Sequence, residues 1–303
     1  MDFSTTGDAK PSAWFKEPFF WGYILLFAAA FLLSLQSTTG WISEIYLFAG
    51  IMITSVILLN FTQKDILPDI NIPQPTVEGG LVLGWFLAFF TASMVTHDSS
   101  IFGNEGAKWM WFVILPFLGI WLAGKSHRSF KDTLLSIGLR RQGIEKALLL
   151  GLLAFMVMSP AVIVSLPGTQ ADKLQDLLDY PMKLAVMIPV GFVLMLATAG
   201  FTEEVFFRGI LQARLSRWFG SDIRGCLLTA ILFGIYHLPY AFFDVSWPTY
   251  GNWLRAVTSV ITEQMVAGLL LGVLWMRTCN LGASVICHAL INTIAILSSI
   301  NIG

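Results

Sequence analysis

The chain is 303 residues long, 56% hydrophobic and only 12% charged, with a mean hydropathy of +0.73. A soluble domain of this length does not need so much apolar material for its core, so the chain belongs in a bilayer. With 18 Lys and Arg against 19 Asp and Glu, the formal charge of -1 offers no basic face, which excludes nucleic acid as a partner.

A spanning helix needs about 20 mostly apolar residues. In chain order the candidate segments are 19–36, 42–61, 79–95, 109–124, 147–166, 184–202, 225–243, 256–276 and 281–302. They predict an all-α, polytopic transmembrane helical bundle of nine helices, or eight if one early segment is re-entrant, since the run at 79–95 is short. The first segment follows a polar stretch holding Asp2, Asp8, Lys10, Lys16 and Glu17 and ends without a small-residue cleavage site, so it reads as a retained helix. With the N-terminus in the cytoplasm, only Lys108, Lys173, Lys183 and Arg255 fall outside, and the other fourteen basic residues fall inside. That asymmetry predicts N-in and C-out, in the cell membrane of a prokaryote or the endoplasmic reticulum membrane of a eukaryote.

No fixed-period repeat or low-complexity tract interrupts the pattern. The chain divides softly at the basic connection from Lys125 to Lys146. Residues 1–146 hold four helices of unknown role, with polar residues mostly in loops. Residues 147–303 hold five helices with ionisable groups in or beside the apolar runs, and are the expected catalytic core. Cys226, Cys279 and Cys287 have no CxxC spacing and read as packing residues. LPGTQ, Leu166 to Gln170, reads as a turn set by Pro167 and Gly168 in an outside loop.

Ionisable side chains inside membrane segments are expensive, so each is a candidate site. They are Glu203, Glu204 and Arg208 at the end of the sixth segment, His237 in the seventh, Glu263 in the eighth, and His288 with Asn292 in the ninth. Glu204 and Arg208 are four apart, an ion-pair spacing, whereas Glu203 is turned about 100° from Glu204 and presents to another surface. One carboxylate is thus braced and the other free as a reagent; the competing reading is an interfacial charge cluster that stops the segment. In FGIYH, Phe233 and His237 share a face, so a phenyl ring shields an imidazole. In HALIN, His288 and Asn292 share a face and can aim two donors at one oxyanion, or else clamp neighbouring helices. GLLLG, Gly268 to Gly272, is a small-xxx-small spacing for close helix packing.

In this order, EEVFFR at Glu203 to Arg208, FGIYH and HALIN resemble the CAAX-processing and bacteriocin-processing intramembrane endopeptidases, the CPBP or Abi group, over about residues 184–302. The resemblance implies hydrolysis of a peptide bond in a membrane-associated substrate, near the cytoplasmic side, by a water. It makes Glu203 the general base and His237 its helper in orienting the water. His288 and Asn292 become the oxyanion donors, and Glu204, Arg208 and Phe233 the support. A metal is not required by that scheme, although Glu203, His237 and His288 are the residues that would hold zinc or another divalent ion. The chain has no HExxH, GxGD or GxSG, and Cys287 and His288, adjacent on a helix, diverge. A non-proteolytic scaffold, an immunity protein or a transporter using the same polar cluster stands as the alternative, and Glu263 with Gln264 is the feature that favours transport.

Overall fold

The computed structural model describes residues 11–35, 41–62, 72–97, 105–166 and 168–299. Asp2, Asp8, Lys10, Lys64 and Pro167 lie outside the described residues. After a single turn at Pro11–Trp14, the helices are α1 (Pro18–Ser34), α2 (Trp41–Phe61), α3 (Pro75–Thr96), α4 (Gly106–Gly124), the short α5 (Phe130–Ser136), α6 (Ile144–Ser165), α7 (Gly168–Leu178), α8 (Pro181–Trp218), α9 (Asp222–Phe243), α10 (Trp253–Thr278) and α11 (Leu281–Ser299). The described residues contain no strand. Seven of the helices are long and apolar enough to cross a membrane, and Pro18–Ser34 and Leu281–Leu297 are shorter apolar helices. The protein is a polytopic helical membrane protein.

Local chemistry sets the helix ends. Pro18, Pro75 and Pro181 stand in first turns, where a missing N–H costs no hydrogen bond. Ser129, Ser221 and Asn252 cap α5, α9 and α10 by accepting from the backbone N–H of Asp132, Arg224 and Arg255. The last turn of α10 closes on Cys279 in the left-handed conformation, φ 46°. The Asn280 side chain then accepts from Gly282 N at 2.9 Å and donates to Arg140 O at 3.1 Å.

Two differences from the sequence reading matter. The sixth segment does not end at the acid pair: α8 runs for 38 residues, to Trp218, and carries the motif in its interior. Hydropathy misses this because Arg208, Gln212 and Arg214 are fully buried and satisfied by protein rather than lipid. The LPGTQ stretch opens a helix, α7, whose one-sided apolar pattern buries Leu177 and exposes Leu178.

Three clusters of buried apolar side chains fill the interior, and the two larger ones each draw on helices from both sides of residue 146. Of these two, one joins α1, α2, α6, α9, α10 and α11; the other joins α3, α4, α8, α9, α10 and α11. Phe89, Phe112, Phe206, Phe207, Phe233 and Tyr236 form an edge-to-face aromatic block in the second, with centroids 5.1 Å apart for Phe89 and Phe112 and for Phe207 and Phe233. At one end of the bundle, Glu78 of α3 accepts from Arg128 at 3.0 Å and from Arg214 of α8 at 3.2 Å, all buried. Arg214 also donates to Ser136 Oγ at 2.8 Å, tying in α5. Arg128 and Arg214 are therefore internal partners, and Arg277 is buried against Thr62, whereas the charge count treats all three as cytoplasmic loop residues.

Candidate active site

Glu203 and Glu204 diverge as the helical period requires, although the backbone around them is underwound. Leu196–Gly200 and Val205–Gln212 are π-wound and flank the α-helical turn Phe201–Glu204. Further π-wound turns lie at Trp109–Ile114 of α4 and Val260–Gln264 of α10. Such turns insert a residue and cluster at functional sites.

Glu204 has the partner its spacing predicts, Arg208 Nη1 at 2.9 Å. Its Oε1 also accepts from His288 Nδ1 at 2.8 Å, so α8 and α11 meet at one oxygen. Arg208 Nη2 donates to Gly268 O at 3.1 Å and Gln212 Nε2 to Gly272 O at 3.0 Å, so the GLLLG carbonyls receive the polar residues of α8. A Cβ on Gly268 would meet Ala230 and Phe233 at 3.2 Å, and one on Gly272 would meet Cys226 Sγ at 2.7 Å. The packing role read for GLLLG is what the structure has. The Phe233 ring sits at the centre: 4.4 Å under the Arg208 guanidinium, 4.7 Å from the His237 ring and 5.9 Å from the His288 ring.

Glu203 is buried, at 3% exposure, and is not the free acid expected. Its Oε1 lies 3.3 Å from Lys108 Nζ and accepts from the Tyr236 hydroxyl at 3.4 Å. Its Oε2 accepts no hydrogen bond among the described residues and lies 4.0 Å from His237 Nε2. His237 Nδ1 donates to Phe233 O at 2.8 Å, which fixes the tautomer and leaves Nε2 facing the carboxylate. Likewise the Nδ1–H of His288 is committed to Glu204, so only its Nε2 can address a ligand. His237 and His288 are both within electrostatic reach of Glu203. Asn292, one turn beyond His288, is half-buried and hydrogen-bonds to no described residue.

Lys108 and Tyr236 were missed from the sequence. Lys108 precedes an apolar run and counts as an outside loop charge, and Tyr236 stands in FGIYH without being singled out. Among the described residues, no three His, Cys, Asp or Glu side chains are grouped closely enough to hold a metal ion.

The site spans the depth of the bundle: Gly209, a short way past Glu203 on α8, packs on Ile137 of the Lys125–Lys146 connection, and Leu281, at the start of the helix that carries His288, donates to Gly138 O. Lys108 is in the first turn of α4 and His237 in the last third of α9, so both are remote from the Lys125–Lys146 connection.

Residues 185–294 match the family model described as type II CAAX prenyl endopeptidase, Rce1-like. That stretch, less than half of the chain, is similar to a Rce1-like domain. The match agrees with the family resemblance carried by the three motifs. No curated protein and no solved structure matches the chain. The Rce1-like domain contains Glu203, Glu204, Arg208, Phe233, Tyr236, His237, His288 and Asn292; Lys108 reaches the cluster from outside it.

Proposed function

We propose that the protein hydrolyses a peptide bond of a membrane-associated substrate with a water activated by Glu203. The observation that carries this reading is the pair of bare acceptors, Glu203 Oε2 and His237 Nε2, 4.0 Å apart in a buried setting. A water donating one proton to each satisfies both and keeps its lone pairs directed at a substrate carbonyl. Glu203 takes the water's proton as the C–O bond forms, and returns it to the amide nitrogen as the C–N bond breaks. The tetrahedral oxyanion is received by His288 Nε2, which donates when the ring carries both protons, and by the Asn292 amide. Arg208 neutralises Glu204, so the His288 anchor does not add an uncompensated charge to the apolar interior. No step passes through a metal. A prenylated CAAX-type peptide is the first substrate to try, by analogy with the name of the matched family.

The test does not require the substrate in advance. Membrane proteomes of cells carrying the wild type or Glu203→Gln are compared for peptides cut near a bilayer face. Fragments that vanish with the carboxylate are expected. Identical fragment sets with both proteins at equal abundance would favour the scaffold or transport reading instead.

A further inference from the structure

The acid has a partner from the half of the chain to which the sequence gives no role. Lys108 Nζ lies 3.3 Å from Glu203 Oε1, and the lysine side chain is only 12% exposed. The next residue fixes where that lysine stands. The Trp109 indole stacks on Phe201, with centroids 5.3 Å apart and planes at 25°, and donates to Ala197 O at 3.2 Å. Ala197, on a π-wound turn, and Phe201, on the α-helical turn of the acid itself, both precede Glu203 in α8, so the first turn of α4 is clamped to the stretch of helix that carries the acid. The two carboxylate oxygens are consequently unequal: Oε1 receives both Lys108 and Tyr236, whereas Oε2 has neither and faces His237.

We propose that Lys108 is a positioning residue for the reaction: by binding Oε1 it fixes the Glu203 rotamer and makes Oε2 the oxygen that takes the proton. The proposal rests on the hydrolytic reading above. It assigns the N-terminal helices a direct part in the site, because α4 supplies a cation that the Rce1-like domain does not contain. A lysine suits the role because its ammonium is a compact charge on a flexible stem, able to hold one oxygen without covering the other.

The experiment uses the full-length protein in lipid nanodiscs and an internally quenched prenylated CAAX peptide as probe. Wild type, Glu203→Gln, Lys108→Met and Lys108→Arg are compared by kcat, KM and thermal unfolding. Misplacing a catalytic group by about 1 Å costs on the order of 100-fold. Lys108→Met should therefore lower kcat by roughly 10- to 100-fold with KM within about twofold, and Lys108→Arg should recover most of that loss. If Glu203→Gln is inactive while Lys108→Met keeps at least half of kcat, or while folded Lys108→Arg is as impaired as Lys108→Met, the lysine proposal falls and the hydrolytic reading stands. Wild-type turnover no faster than that of Glu203→Gln overturns both. Should Lys108→Met fail to fold, Lys108→Arg decides alone: kcat within tenfold of wild type supports the role, and a larger loss in a folded protein refutes it.

Discussion

Arg208 shows how much a single membrane-embedded residue can hold together. It neutralises Glu204, donates to the Gly268 carbonyl and lies over the Phe233 ring. Replacing it with Met leaves Glu204 charged and buried, a loss of about 3–5 kcal/mol for a buried pair broken on one side. Unfolding in mixed micelles should show that loss, and Glu204→Gln combined with Arg208→Met should recover part of it. In the proposed reaction His288 acts at the chemistry instead. Removing one preorganised oxyanion donor costs roughly 100- to 1000-fold, so His288→Ala should lose turnover on that scale, measured on whichever fragment the proteome comparison identifies. Asn292→Ala should lose less, because no described residue holds the amide in place. At this scale the sequence was informative where spacing alone fixes the geometry. Glu204 and Arg208, or Phe233 and His237, meet because residues four apart share a helix face. It was silent about Lys108, because nothing in a linear pattern says that the start of the fourth helix leans against the sixth apolar segment.

Close packing makes the helices into a site. Gly268 and Gly272 let α10 close on α9 at Ala230, Phe233 and Cys226, while their carbonyls accept from Arg208 and Gln212 of α8. Adding a methyl at Gly272 forces Cys226 Sγ, 2.7 Å away, and Gln212 Oε1, 3.0 Å away, to move. Overpacking of that kind costs about 1–3 kcal/mol, so Gly272→Ala should lower the melting temperature and Gly272→Val should lower it further, as differential scanning fluorimetry would record. Each apolar run was legible as a helix, since hydropathy reports lipid exposure directly. The continuation of α8 past residue 202 was not, because Val205–Gln212 is buried by other helices and its polar residues are satisfied internally. The π-wound turns left no sequence signal that periodicity detects.

At the scale of the whole molecule, the two halves cannot be separated without loss. The aromatic block draws Phe86, Phe89 and Phe112 from the first half and Phe206, Phe207 and Tyr236 from the second, and Glu78 holds Arg214 across the same boundary. Residues 144–303 expressed alone should therefore aggregate or lack activity, and co-expression with 1–143 should restore a folded complex, assayed by co-purification. Orientation is tested by cysteine labelling of intact cells. On the charge count, Arg141→Cys should be reached only from the cytoplasm and Ser246→Cys only from the far side. The reverse pattern would overturn the charge-based orientation.

The length of α8 carries a last consequence. A helix of 38 residues is about 57 Å long, nearly twice the ~30 Å hydrocarbon slab of an ordinary bilayer. It must lean, protrude or stretch the lipid around it, and its own lean sets the angle at which Glu203 meets α4. Membrane thickness then becomes a control variable: reconstitution in lipids of graded acyl length should move turnover through an optimum, because hydrophobic mismatch is relieved by changing that lean.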